Sequence, residues 1–206
     1  MTTIDYYFFG QSPFTFLGHR ALQAVAKRHG AAVRFKPVIL SELWKESGAV
    51  MPAKRPPVRQ RYRLIELQRI ALQRGIDINL KPKHFPTAID LADLCTIAIV
   101  EDGGDAWDWV EAVGRGVWVD EVDMGDEGEV ARRLEATGHD ASAVIERART
   151  DQIARIRDRN SQDAVAAYAV GVPAYVLNGE VFWGQDRIEM LDAALATGRP
   201  PFTSDV

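Results

Sequence analysis

One serine in this sequence stands where a reactive group would be well placed. Ser12 lies in the stretch GQSPFT, directly after the apolar run TIDYYFF and directly before a helical pattern. Serine is a favoured N-cap residue, and a proline such as Pro13 is favoured at the first helical position. A helix N-terminus carries partial positive charge and unpaired N–H groups, so it stabilises an anion beside it. Ser12 is therefore either a simple helix cap or a hydrogen-bond donor to an anionic nucleophile.

The other residues that could do chemistry are few and scattered. The single cysteine, Cys95, excludes a disulfide or a CxxC pair within one chain, and its apolar helical surroundings favour inert burial. No nucleophile elbow, P-loop or dinucleotide fingerprint is present. The histidines lack the spacing of metal ligands, which favours surface or capping roles and predicts no metal site; they are His19, His29, His84 and His139.

Composition limits the class of ligand. The 206 residues carry 25 Lys and Arg against 29 Asp and Glu, a formal net charge of -4. This balance argues against a general binder of nucleic acid backbones. No apolar run approaches the roughly 18 residues that span a bilayer, and we see no secretion segment. We therefore expect a cytoplasmic protein that acts on a small molecule, with neither nucleic acid nor membrane as partner.

Hydrophobic patterns place Ser12 between two strands. Residues 3–9 are rich in β-formers with apolar side chains on both parities, which predicts a strand buried on both faces. Apolar residues then recur at helical spacing up to Gly30, and residues 32–40 predict a second strand. Pro37 indicates that this second strand lies at an edge. A strand, helix, strand unit of this kind has parallel strands.

The middle of the chain reads as helical and the end returns to β-structure. Successive helical patterns fill residues 41 to about 170, including one helix over 140–161. Asn178-Gly179 between two β-rich runs predicts a tight hairpin, and a last helix follows it. Neither β segment can bury its faces alone, so both must share one sheet. The order β-α-β, insertion, β-β-α predicts an α/β thioredoxin-like fold.

The domain boundaries follow from this order. Residues 1–42 and 165–206 would form the thioredoxin-like domain, and residues 43–164 a large all-helical insertion.

Motifs along most of the chain resemble one family. They are SPFTFLG, KPVIL, SELWKESG, RYRLIELQR, KHFP and GVPAYVLNGEVFWGQDR, in that order. In these motifs the chain is similar to the 2-hydroxychromene-2-carboxylate isomerases and kappa-class glutathione transferases, relatives of the disulfide-oxidoreductase branch of the thioredoxin superfamily. The last motif is the most specific, because it is long and ungapped.

The resemblance implies that glutathione is the cofactor and that Ser12 is the catalytic residue. The hydroxyl of Ser12 would donate to the glutathione thiolate and lower the thiol pKa from about 8.5 toward neutrality. Pro173 would be a cis-proline that leaves the backbone of Val172 free to pair with the cysteinyl part of glutathione. The alternative for Pro173 is a trans proline at the start of an edge strand.

The resemblance also assigns residues to the two ends of glutathione. Gln185 and Asp186 would hold the γ-glutamyl end, with Asp186 pairing with the ammonium group. Arg59, three positions before Tyr62, would lie near the glutathione carboxylates. The alternatives are that Asp186 caps the last helix and that the basic run KRPPVRQRYR is a solvated helix start. We expect Arg187 to form a structural ion pair.

Three functions are compatible with these residues. The first is a glutathione-dependent isomerase of an aromatic-degradation intermediate such as 2-hydroxychromene-2-carboxylate, with the aromatic substrate held by the helical insertion. The second is a kappa-like transferase that conjugates glutathione to an electrophile. The third is a non-catalytic thioredoxin-fold binding protein, which is favoured by Ala49, since these relatives carry an asparagine glutathione contact at this position. The resemblance further implies a homodimer.

Overall fold

A four-stranded sheet forms the centre of the computed structural model, which describes residues 2–204. Its strands are β1 (Thr3–Phe8), β2 (Ala32–Pro37), β3 (Ala174–Leu177) and β4 (Glu180–Trp183), in the spatial order β2-β1-β3-β4. β1 pairs with β2 in parallel, and the other two pairings are antiparallel. The two ends of the chain thus share one sheet, and the predicted thioredoxin-like fold is confirmed.

β1 is a central strand with both faces covered. Tyr6 and Phe8 point into the main hydrophobic core, whereas Tyr7 belongs to a second cluster with Val38 and Leu43 on the opposite face. This arrangement explains why the run TIDYYFF is apolar on both parities. β2 is an edge strand that ends at Pro37, as the sequence indicates.

The helices at the two ends of the chain begin and end largely where local signals place them. α1 (Pro13–His29) has Ser12 as its N-cap and Gly30 in the left-handed conformation after its last turn. α2 (Leu40–Ser47) and α3 (Pro57–Arg74) also end at left-handed glycines. α9 (Ile188–Thr197) follows the β3–β4 hairpin. At that hairpin both Asn178 and Gly179 have positive φ, which confirms the predicted tight turn.

The insertion contains five further helices. They are α4 (Asp90–Glu101), α5 (Trp107–Trp118), α6 (Glu127–Ala136), α7 (Ala141–Ala148) and α8 (Asp151–Ala166). The single helix predicted over 140–161 is wrong, because Thr150 ends the first segment and its hydroxyl caps α8 by accepting the Ile153 N–H. Among the described residues, no helix is both long and apolar enough to cross a membrane.

The insertion packs directly on α1. One hydrophobic cluster joins residues of β1 and α1 with residues from α4 to α7. The closest approach is at Gly114 of α5, where an added Cβ would lie 2.6 Å from the Phe16 ring. The indoles of Trp109 and Trp118, in the same helix, are fully buried. The insertion therefore fixes the start of α1 as well as covering the sheet.

His19 corrects the expectation that all four histidines lie at the surface or cap helices. Its ring is fully buried among aromatic side chains. Nε2 donates to the Trp107 carbonyl at 2.8 Å, and Nδ1 lies 3.4 Å from the Tyr6 hydroxyl. Burial lowers the pKa of His19 to about 4, so the ring is neutral at physiological pH.

The close approach at Gly114 yields a stability prediction. Gly114→Ala should lower the free energy of unfolding by about 1–3 kcal/mol, because the new methyl group overlaps the Phe16 ring. Urea denaturation measures the change. Ser142→Ala, at an exposed position of α7, is the control and should change stability by less than about 0.5 kcal/mol. Equal effects of the two substitutions would show that α5 and α1 are not tightly packed.

Candidate active site

The turn from β1 into α1, residues Gly10–Ser12 and called here the site turn, carries the candidate catalytic group. Ser12 N–H donates to the Phe9 carbonyl at 2.9 Å, and Ser12 Oγ accepts the Thr15 N–H at 3.3 Å. The residue is 9% exposed. Within residues 2–204 no acceptor takes the hydroxyl proton of Ser12. Capping and donation to a ligand are therefore compatible roles for this side chain.

Gln11 attaches the site turn to the insertion. Its amide group forms two hydrogen bonds with the backbone of Thr87, one to the carbonyl at 3.1 Å and one from the N–H at 3.2 Å. The indole N–H of Trp118 donates to the Gln11 carbonyl at 3.3 Å. These contacts fix the residue just before Ser12 from two elements outside the sheet.

Asp93 holds Gly10, the first residue of the site turn. Its Oδ1 accepts the Gly10 N–H at 3.0 Å, and the side chain is fully buried in α4. A Cβ at Gly10 would lie 2.6 Å from this oxygen, so only glycine permits the contact. Burial raises the pKa of Asp93 to about 7, although Arg157 lowers it in part. Thr87, Asp93 and Trp118 are called the anchoring residues below.

Pro173 lies at the same end of the sheet as Ser12. The register pairs Tyr7 with Ala174, so Pro173 is beside the last residue of β1. The Val172–Pro173 bond is cis, as the resemblance implies, and the trans alternative is wrong. The Pro173 carbonyl accepts the Gly184 N–H at 2.8 Å. In the described part of the chain, neither backbone group of Val172 forms a hydrogen bond.

Gln185 is packed against α1. It is 4% exposed, and its Cβ lies 2.7 Å from the position that a Cβ would take at Gly18. Arg74 donates to its backbone carbonyl at 3.2 Å and to its side-chain Oε1 at 3.1 Å. Gln185 thus packs on the second turn of the helix that Ser12 caps, and Pro173 lies beside the end of the strand that precedes Ser12.

Asp186 differs from Gln185 in being exposed. It follows Gln185 in a short 3-10 helix (Gln185–Arg187) and pairs with Arg187, whose Nη1 lies 2.6 Å from Oδ2. The expected ion pair of Arg187 is confirmed. The alternative that Asp186 caps the last helix is wrong, because α9 has Arg187 at its N-cap and no side-chain cap bond. Its carboxylate therefore remains accessible to a ligand.

The start of α3 contributes a cationic surface. Arg59 is exposed there, and Arg63, one turn later, lies with Cζ 5.9 Å from the centroid of the Phe14 ring. Burial lowers the pKa of Arg63, and the nearby Arg55 lowers it further. In the region that the structure describes, none of these three arginines has an acidic partner. The arginine of α3 that contacts the beginning of α1 is thus Arg63, one turn after the predicted Arg59.

Cys95 is not part of the site. It is fully buried in α4, and burial raises the pKa of its thiol to about 12, so the expectation of an inert cysteine is confirmed. No group of three or more candidate metal ligands occurs among residues 2–204.

Comparison with known proteins agrees with this geometry. A family model described as the DSBA-like thioredoxin domain matches residues 3–196. The 2-hydroxychromene-2-carboxylate isomerase of Sphingobium xenophagum is 27% identical over 195 residues, covering 94% of this chain and 97% of that protein. The enzyme of the same name from Pseudomonas putida is 28% identical over 195 residues, with 93% of each chain covered.

A solved structure shows the same fold. The structure of a 2-hydroxychromene-2-carboxylate isomerase superimposes with a TM-score of 0.82 at 24% identity, and it covers 95% of each chain. The resemblance that the motifs indicate is confirmed by these matches over nearly the whole chain.

The attachment of Gln11 can be tested by its removal. Gln11→Ala should lower the free energy of unfolding by about 1–3 kcal/mol, because it leaves two partly buried backbone groups of Thr87 without partners. The Ser12 amide should also exchange its proton faster with solvent. Gln152→Ala, at an exposed position, is the control and should change stability by less than about 0.5 kcal/mol. Unchanged exchange at Ser12 would contradict the anchoring role.

Proposed function

This chain belongs to the DSBA-like thioredoxin family, and we propose that it is an isomerase of aromatic degradation that uses glutathione as a catalytic thiol. The curated relatives named 2-hydroxychromene-2-carboxylate isomerase support the reaction class and a small aromatic substrate. A thiol from outside the chain is required, because Cys95 is buried and its thiol pKa is raised to about 12.

The observation that carries the proposal is the free hydroxyl proton of Ser12 at the N-terminus of α1. A donor fixed at this position would stabilise a thiolate together with the Phe14 N–H, which donates to no acceptor among the described residues, and the positive end of the helix. The site turn would supply this donor already oriented, since Asp93 and Trp118 bind its backbone and Thr87 forms two hydrogen bonds with the Gln11 side chain. No reorganisation would be needed when charge develops on the sulfur.

The residues around Ser12 fit the rest of glutathione. The unpaired backbone groups of Val172 would pair with the cysteinyl part, as an added strand pairs with a sheet edge. Asp186 would bind the γ-glutamyl ammonium group, with Gln185 beside it. Arg59 would lie near the carboxylates, at the start of α3, where Arg55, Arg59 and Arg63 have no acidic partner among the described residues.

Bound glutathione would supply a thiol nucleophile that is regenerated in each turnover. Ser12 would stabilise the charged form of its sulfur. The helical insertion would hold the aromatic end of the substrate. A kappa-like transferase would instead consume glutathione, so the ratio of glutathione lost to product formed separates the two activities.

We place the enzyme in the cytoplasm as a homodimer.

Variants at Ser12 separate donation from capping. Ser12→Ala removes both, and it should lower the glutathione-dependent isomerisation rate about 10- to 100-fold and the stability by about 1 kcal/mol. Ser12→Asp keeps a cap acceptor for Thr15 N–H but has no proton to donate when ionised. It should therefore retain stability and lose activity. A spectrophotometric assay of the chromene with and without glutathione measures the rate.

Two outcomes would contradict this assignment. A full rate in Ser12→Ala would return the serine to a capping role only. Absence of glutathione binding to the wild-type chain at millimolar concentration, measured by isothermal titration, would exclude the thiol mechanism and favour the non-catalytic reading that Ala49 suggests.

The ion pair of Asp186 yields a binding prediction. Asp186→Asn should weaken glutathione binding about 10-fold, because a neutral amide replaces a charge-assisted contact with the ammonium group. Arg187→Gln is the matched control: it releases the carboxylate from its neighbour and should leave binding unchanged or tighter. Calorimetric titration gives both dissociation constants. Weaker binding in the control alone would place the ligand on Arg187 instead.

A further inference from the structure

A carboxyl group of the insertion lies directly behind the site turn. Asp93 is 1% exposed, and Oδ1 accepts the Gly10 N–H at 3.0 Å. Its second oxygen, Oδ2, is buried and accepts no hydrogen bond among residues 2–204. Arg157 is the cation that faces it, with Nη2 3.8 Å from Oδ2, but this guanidinium lies closer to Asp90, with Nη1 at 2.5 Å. The Asp93 carboxylate is thus incompletely compensated.

The structural need at this position is a hydrogen-bond acceptor and not a charge. A neutral carbonyl, such as that of asparagine, would accept the Gly10 N–H equally well, whereas a buried carboxylate with one partner is costly. Burial raises the pKa of Asp93 to about 7, with Arg157 opposing and Asp90 reinforcing this shift. Asp93 therefore changes its charge within the physiological pH range.

Of the charged groups around α4, Arg157 and Asp90 act on the pKa of Asp93, whereas several others pair with one another. The neighbouring elements carry Glu127 with Arg149, Arg147 with Asp102, and Lys36 with Asp163. The first of these pairs acts on the thiol of Cys95, as Asp93 itself does. Arg157 and Asp90 are therefore the charges that govern Asp93.

We propose that Asp93 is a positioning residue that acts on Ser12 through Gly10 and that its charge sets the acidity of the thiol bound there. The ionised form places a negative charge behind the N-terminus of α1, which destabilises a thiolate at Ser12 and raises the pKa of that thiol. The neutral form keeps the positive end of the helix unopposed. This inference rests on the proposed function for its thiol, but the coupling of Asp93 to the site turn does not depend on any ligand.

The size of the effect follows from the separation. Gly10 and Ser12 are two residues apart, so the Asp93 carboxylate and a sulfur at Ser12 lie about 8–10 Å apart. At an effective dielectric constant of about 20, a unit charge at this distance shifts a pKa by about one unit.

The first test needs no ligand. In the wild-type chain, the NMR amide shift of Gly10 should titrate with a midpoint near 7, and in Asp93→Asn it should be flat between about pH 5 and 9. Asp90→Asn is the matched control, since it removes a carboxylate that also contacts Arg157 but does not touch Gly10, and the Gly10 titration should persist. A flat Gly10 shift in the wild-type chain, or the same titration in Asp93→Asn, would overturn the proposal. The wild-type measurement decides even if a variant does not fold.

The second test uses glutathione. At saturating glutathione, thiolate absorbance near 240 nm should give a midpoint about one pH unit lower in Asp93→Asn than in the wild-type chain. Coincident midpoints with glutathione bound would overturn the charge effect while leaving the proposed function intact. If the wild-type chain does not bind glutathione, the proposed function fails, and the Gly10 titration alone decides the positioning role.

Stability gives the third readout, and its sign follows from the raised pKa. The unfolded carboxyl ionises near pH 4 and the folded one near 7, so the wild-type chain loses stability as the pH rises between these values. Asp93→Asn has no such loss. The urea midpoint of Asp93→Asn minus that of the wild-type chain should therefore increase from pH 4 to pH 7 and stay constant above pH 7. A difference that does not change with pH would contradict titration of Asp93.

Discussion

The turn between β1 and α1 has more polar groups than it can pair by itself. Inside the turn, the Ser12 N–H donates to the Phe9 carbonyl. The Gly10 N–H and the Gln11 carbonyl instead bind side chains of the insertion. Buried backbone groups without partners are costly, so partners must come from elsewhere. The insertion supplies them, and the position of Ser12 therefore depends on helices remote in sequence.

Elements governed by local signals could be predicted from the sequence. Ser12, Pro13 and Gly30 bound the first helix because capping and backbone preferences act over a few residues. Asn178-Gly179 specifies the hairpin for the same reason, since both residues tolerate positive φ. The burial of β1 on both faces follows from its apolar parity. The thioredoxin-like order then follows, because two small β segments need one common sheet.

The anchoring residues could not be predicted, because their contacts join positions far apart. Nothing near Asp93 or Thr87 in the sequence indicates a partner at Gly10 or Gln11. The sequence also does not show where a side chain points, so the run of arginines before and in α3 does not indicate which one contacts Phe14. In the sequence, the buried polar residues of α4 look like part of an ordinary helical pattern. Pro173 and Gln185 became candidate site residues only through the long motif that resembles the family.

The spread of the site along the chain also governs how a new molecule matures. Ribosomes add about 5 to 20 residues per second, so Gln185 is made on the order of ten seconds or more after Ser12. During this interval β1 lacks β3 along one edge, since that pairing joins Tyr7 to Ala174. The nascent N-terminal unit therefore exposes the free edge of β1 and apolar surface, which are binding sites for chaperones. The sheet is completed only when β3 pairs with β1, late in synthesis.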